Sequence, residues 1–152
     1  MSTRATVRIA EREAGVSFNE HTEDYHAQIY NHWDGYPEGL GVRLAEFIRD
    51  MCVVNGISGG EGPIQANGLG DLSAMILCEL KTGIEDGCRK IQQGGVYLDK
   101  YGTERSDLEY EYYVWATEGK DIWISIFDTY RGECIFVGKP NKLIEKYEYN
   151  DR

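Results

Sequence analysis

No Cys-x-x-Cys pair occurs among Cys52, Cys78, Cys88 and Cys134, which excludes a zinc ribbon and a thioredoxin-type redox site. No apolar run approaches the roughly 18 residues that cross a bilayer. The opening Met1-Ser2-Thr3-Arg4-Ala5 lacks the apolar stretch of a secretory signal. Basic residues are scarce as well: 16 stand against 26 acidic ones, giving a net charge of −10. That balance argues against direct binding of a bare nucleic-acid backbone. Phosphate-loop and dinucleotide signatures are missing. The glycine-rich stretch has no following Gly-Lys-Ser/Thr, and Gly68-x-Gly70 lacks a third glycine. The expectation is a cytoplasmic protein with four reduced thiols, no membrane association and no cofactor.

What is present suits a folded domain. The chain has 152 residues, 41% hydrophobic and 12% aromatic, and a chain of this size buries roughly 70% of its unfolded surface. Residues 1–152 therefore read as a single α+β domain without linker or repeat. Ala5, Val7 and Ile9 alternate with Thr6 and Arg8, as in a half-buried strand. A second strand over 25–31 completes an N-terminal β-hairpin across a loose, charged connection. Pro37 is placed to open a helix, whose apolar stripe is Leu40, Leu44, Phe47, Ile48 and Met51. Six glycines between 55 and 70 mark a long loop, a feature that is uncommon and often functional. Asp71 can cap a second helix carrying Leu72, Met75, Ile76 and Leu80, closed by Gly83. A short helical stretch over 84–93, a strand over 96–98 and a terminal helix over 141–148 are also expected.

The C-terminal third predicts a three- to four-stranded antiparallel meander over 108–117, 122–129 and 133–137, with helices on one face of the sheet. Its alternation yields an aliphatic side (Val114, Ile122, Ile124, Ile126, Ile135, Val137) and an aromatic side (Tyr113, Trp115, Trp123, Phe127, with Phe136 as a further candidate). A solvated sheet face should be polar there. Three explanations of the aromatic side stand. It is internal and covered by the N-terminal hairpin, it is a partner or homo-oligomer interface, or it is a ring-stacking pocket for a nucleobase-like ligand. Beside it, Asp107, Glu109 and Glu111 on one strand face would repeat about every 6.8 Å, close to the spacing of backbone phosphates.

The most distinctive stretch is 30–41, Tyr-Asn-His-Trp-Asp-Gly-Tyr-Pro-Glu-Gly-Leu-Gly. His32, Trp33, Asp34, Tyr36, Glu38 and Gly39 are candidate binding residues at a strand-to-helix junction. The free N–H groups of Glu38, Gly39 and Leu40 could hold an anion there. The alternative is a specified turn, with Trp33 and Tyr36 as anchors and Asp34 bonding backbone amides. His26 and His32 could meet a metal only with carboxylates from elsewhere, so no metal site is expected.

Met1-Ser2-Thr3-Arg4-Ala5-Thr6-Val7, together with Tyr30-x-His32-Trp33-Asp34-Gly35-Tyr36-Pro37-Glu38-Gly39, resembles a group of small proteins of bacteriophages and bacterial mobile elements. The likeness covers about the first 50 residues. It implies a phage or prophage product working in a bacterial cytoplasm, and it carries over no catalytic residue. The leading expectation is a non-enzymatic protein that inhibits a bacterial defence system through an acidic and aromatic surface, by nucleic-acid mimicry or otherwise, with a host protein or complex as partner. A second is a small-ligand binder that sequesters a nucleotide signal, where Arg4, Arg8, Arg43 or Lys139 must outweigh local carboxylates. A third is a hydrolase using His32 with Asp34 or Glu38.

Overall fold

Every side chain from Ala5 to Ala10 is buried, on both faces of the strand, which sets the first strand at the centre of a sheet rather than at its edge. The computed structural model describes residues 2–12, 17–56, 64–91 and 94–148. In chain order the elements are β1 (Ala5–Glu11) and β2 (Ala27–Asn31), a wide π-helical turn over Pro37–Gly41, then α1 (Val42–Ile48), β3 (Met51–Val54) and β4 (Ile64–Asn67). Next come α2 (Gly68–Lys81), β5 (Thr82–Glu85), β6 (Cys88–Ile91) and β7 (Val96–Leu98). The chain closes with β8 (Tyr110–Ala116), β9 (Trp123–Asp128), β10 (Glu133–Gly138) and α3 (Pro140–Tyr147).

The N-terminal hairpin and the C-terminal meander are not separate surfaces. They join into one six-stranded sheet of order β10-β9-β8-β1-β2-β7. Its strands pair antiparallel except at the centre, where β1 lies parallel to β8 with Val7 beside Tyr112. The sheet is thus mixed, and the antiparallel meander is part of this larger sheet rather than a sheet of its own. The β1–β8 pairing joins segments about a hundred residues apart, so no local turn signal announces it.

One face of the sheet packs under the helices. Val7, Ile9, Ile29, Val114, Ile124 and Ile126 meet Leu44 and Ile48 of α1, Leu72, Ile76 and Leu80 of α2, and Leu143 of α3 in a single apolar cluster. Truncating one of these buried leucines or isoleucines to alanine costs about 2–5 kcal/mol. The aliphatic set read from the meander belongs here except for Val137, which is exposed. A bulge between Cys134 and Phe136 shifts the register of β10 and turns Phe136 into the helix-side cluster.

Several local expectations are corrected. Helix α1 stops at Ile48, and Met51–Val54 leaves it to pair parallel with β4, because β-branched Val53 and Val54 fit a pleated surface better than a helix turn. The stretch expected to be helical over 84–93 is a hairpin as far as Ile91, and residues 92 and 93 lie outside the described residues. Asp86 and Gly87 both take positive φ, 51° and 78°, the geometry of the tight turn that Asp-Gly favours. Helix α2 begins three residues before Asp71, whose carboxylate accepts from the Asn67 N–H at 2.8 Å from inside the first turn. Gly83 lies in β5 and does not close α2, since Thr82 is already extended. Residues 57–63 of the glycine-rich loop lie outside the described residues. The remainder supplies β4 and the start of α2.

The four cysteines are free. Cys52 lies in β3 rather than in a helix, and Cys78 and Cys88 are exposed, so only Cys52 and Cys134 are partly shielded. Among the described residues no helix is long and apolar enough to cross a membrane.

Candidate functional site

The aromatic side of the meander is interior. Tyr113, Trp115 and Phe127 are buried, and Trp123 is half-buried. The lid is the connection between β1 and β2. Phe18 stacks on Trp123 with ring centroids 4.8 Å apart, His21 lies 4.0 Å from Phe127, and Tyr25 completes the cluster. Polar contacts pin it down. The Tyr113 hydroxyl donates to the Thr22 carbonyl at 3.0 Å and accepts from the Thr22 N–H at 3.1 Å, while Trp115 Nε1 donates to Ser125 Oγ at 2.8 Å. Tyr113, Trp115 and Phe127 therefore cannot serve as an open interface, because the chain's own connection occupies that face.

The expected carboxylate row is also broken. Asp107 and Glu109 precede β8, and Leu108 between them is buried. Glu111 alone lies on the strand, where it pairs with His21 at 3.4 Å. Asp107 approaches Arg4 at 3.8 Å. The strand repeat of about 6.8 Å does not apply to residues outside a strand, so the phosphate-like row is absent.

Residues 30–41 divide between structure and surface. Asp34 takes φ 52°, a left-handed conformation that aspartate tolerates better than most residues. Gly35 then passes so close to the N-terminal segment that a Cβ would stand 2.7 Å from the Thr3 carbonyl oxygen. Gly39 is equally constrained, since a Cβ there would stand 2.7 Å from the Asp34 oxygen. The N–H of Gly39 bonds the Tyr36 carbonyl at 3.0 Å, and that of Leu40 bonds the Asp34 carbonyl at 2.9 Å. Two of the three amides expected to hold an anion are thus spent on the chain itself. His32 shares a 2.7 Å hydrogen bond with the Tyr30 hydroxyl. Asp34 instead accepts from Tyr36 at 3.4 Å, and this carboxylate raises the Tyr36 pKa. Glu38 is exposed and forms no ion pair with His32, so no His32–Asp34 or His32–Glu38 couple is assembled.

Trp33 is the more exposed of the segment's two outward rings, at 56% against 39% for Tyr36. It ends a row of rings running from Tyr97 through Tyr30 and His32, with centroid separations of 5.1, 5.9 and 4.5 Å. Arg105 lies 3.8 Å over Tyr30. Its guanidinium pairs with Asp99 at 2.6 Å. Trp33 also walls a cavity of about 250 Å³ with Asn31, Asp34, Gly39, Leu40, Arg43, Leu80 and Val96. Three of the six candidate residues, Trp33, Asp34 and Gly39, therefore meet at one concavity. Arg43, Leu80 and Val96 come to it from α1, α2 and β7.

A second cavity, of about 260 Å³, opens on the far face of the sheet and was not foreseen. Thr6, Arg8 and Gln28 form its floor, with His21, Glu23, Glu104, Arg105, Leu108 and Glu111 around them. Strand alternation placed Arg8 opposite the apolar side, which usually means solvent. Its burial depends on Gln28, Tyr113 and Thr22, which are distant in sequence. Among the described residues no group of three or more His, Cys, Asp or Glu side chains is arranged to hold a metal ion. Comparisons of the chain with protein-family models, with curated proteins and with solved structures found no match.

Proposed function

We propose that the chain is a phage-encoded, non-enzymatic interaction protein that inhibits a bacterial defence system by docking on a host protein in the cytoplasm. The observation that carries this reading is Trp33, exposed at 56% beside a row of three further rings. Exposed tryptophan and tyrosine anchors of this kind concentrate binding energy at interfaces. The contact surface is thus the Trp33–Tyr97 end of the sheet, not the covered Tyr113–Trp115–Phe127 face. A net charge of −10 favours a basic partner and accelerates the encounter at low salt. Plating phage that carry the native gene, Trp33→Ala or Tyr97→Ala on hosts with and without the defence system tests this. Both variants should plate less efficiently on defended hosts alone. Equal plating on both hosts would overturn it.

A second reading is favoured by the cavity that Trp33 shares with Arg43. An indole wall can stack on a nucleobase, while Arg43, whose Nε and Nη2 already bond Glu79 and the Thr82 carbonyl, keeps only Nη1 for a phosphate. At about 250 Å³ the cavity lies just below the usual ligand-pocket range of roughly 300–1,000 Å³. Thermal denaturation with cyclic mono- and dinucleotides separates the two, since a bound nucleotide raises the Tm. Uniformly flat melting temperatures would remove the nucleotide.

A further inference from the structure

Arg8 is only 8% exposed at the centre of the sheet, and among the described residues it has no carboxylate partner. Its contacts are neutral. Nε donates to Gln28 Oε1 at 2.8 Å, and Nη1 donates to the Tyr113 hydroxyl at 2.8 Å and the Thr22 carbonyl at 3.1 Å. The Tyr25 ring lies 4.4 Å from the guanidinium carbon. Nη2 bonds none of these groups and, unlike Arg4 Nε, is not sealed from solvent, so its two N–H groups are open to the cavity. A buried guanidinium ordinarily recruits a carboxylate, because an uncompensated charge out of water is costly. Here none of the neighbouring acids approaches it.

The acids instead stand around the opening. Glu23 and Glu104 are exposed and form no ion pair among the described residues, and Glu111 is engaged only by His21. The other cation of the cavity, Arg105, is already neutralised by Asp99. The cavity therefore presents one unbalanced positive group on its floor and unbalanced negative groups at its rim. A plain anion would meet the rim carboxylates on entry, and a plain cation would meet Arg8.

The geometry points to a binding site for a small zwitterion of the amino-acid class, its carboxylate on Arg8 and its ammonium group between Glu23 and Glu104. The site goes beyond the docking surface at Trp33 and does not depend on it. A volume of about 260 Å³ suits a metabolite of that size, and the two charges of the ligand are each met by the opposite sign. Carboxylate recognition by a preorganised guanidinium is the stronger, directional half of the contact.

The test uses the full chain and thermal denaturation with the standard amino acids as free zwitterions, beside acetate and methylammonium as single-charge probes. At least one zwitterion at saturation should raise the Tm by roughly 5 °C, with neither single-charge probe doing so. Arg8→Met should abolish the shift, although it also frees the Thr22 connection. Glu104 is exposed and makes no hydrogen bond or ion pair among the described residues, so Glu104→Gln should keep the ligand-free Tm and weaken binding about tenfold. Three results would each overturn the assignment: no amino acid shifting the Tm, acetate shifting it equally, or unchanged affinity in Glu104→Gln.

Discussion

The hydroxyl of Tyr112 donates to the carbonyl oxygen of Gly35 at 2.7 Å, joining two residues that are 77 positions apart. Tyr112 is fully buried, and its ring lies against Gly41. One side chain from the middle of β8 thus meets both ends of the Gly35–Gly41 segment, which directly follows Trp33 and Asp34. Burial raises the Tyr112 pKa well above its ordinary value, so the phenol stays protonated and able to donate. Tyr112→Phe should cost about 1–2 kcal/mol, because the Gly35 carbonyl is left without its donor. Urea denaturation would show a lower midpoint with an unchanged slope.

Gly39→Ala provides a sharper probe of the same turn. A methyl group there would meet the Asp34 carbonyl oxygen at 2.7 Å and the Tyr36 ring at 3.1 Å. Backbone cannot yield as a flexible side chain does, so the expected loss is about 1–3 kcal/mol. Gly94→Ala is a useful contrast, since its φ of 65° imposes conformational strain while its Cβ would stand in open space. Comparing their melting temperatures separates crowding at Gly39 from backbone preference at Gly94.

These two positions also show what was legible in advance. Asp34-Gly35 marks a turn in the sequence and Pro37 the start of a helix, and period-2 alternation separates Val114, Ile124 and Ile126 from Tyr113, Trp115 and Phe127 as the structure does. The charged 11–23 segment gave no sign that Phe18 and His21 would cover that aromatic side. A cover of this kind depends on where the chain returns, and local periodicity does not encode it. The parallel β1–β8 pairing escaped for the same reason, and with it the burial of Arg8 between Gln28 and Tyr113. The β5–β6 hairpin was different. Its Asp86-Gly87 turn signal is present in the sequence, where it competes with the helical expectation over 84–93.

Trp33→Ala should separate stability from function. With more than half of the side chain in solvent, its removal should shift stability by no more than about 1 kcal/mol. The plating defect on defended hosts should nevertheless be complete or nearly so if Trp33 is the docking anchor. Circular dichroism melts of the same purified variant guard against a trivial loss through unfolding. A variant that melts like the native chain and inhibits like it would remove Trp33 from the interface.

Phe18→Ala tests whether the connection holds the aromatic face closed. The Phe18 ring lies between Trp123, stacked at 4.8 Å, and Trp115, tilted at 5.9 Å, with Arg12 4.4 Å from its centroid. Losing it should cost about 2–4 kcal/mol and let water reach Trp123. Tryptophan fluorescence should then shift to the red before any global unfolding. An unchanged spectrum with native stability would mean that the other contacts of the connection suffice to cover the face.

Acid should weaken the fold through Asp99. Its side chain is 3% exposed, and burial alone would raise its pKa. The hydrogen bonds from Arg105 and Gln28, at 2.6 Å from each, and the charge of Arg105 outweigh that effect and hold the carboxyl below its ordinary value. A carboxyl with a depressed folded pKa stabilises the native state above its unfolded pKa, near 3.9. That stabilisation fades as pH falls through the lower folded value. Asp99→Asn should therefore cost about 2–3 kcal/mol at neutral pH, where it leaves Arg105 without its counter-charge. The cost should shrink as the pH falls below about 4, where the native carboxyl also loses its charge. Denaturant melts of both proteins from pH 7 down to pH 2 would converge on this account. Parallel curves with a constant offset would show that Asp99 acts through shape and not through charge.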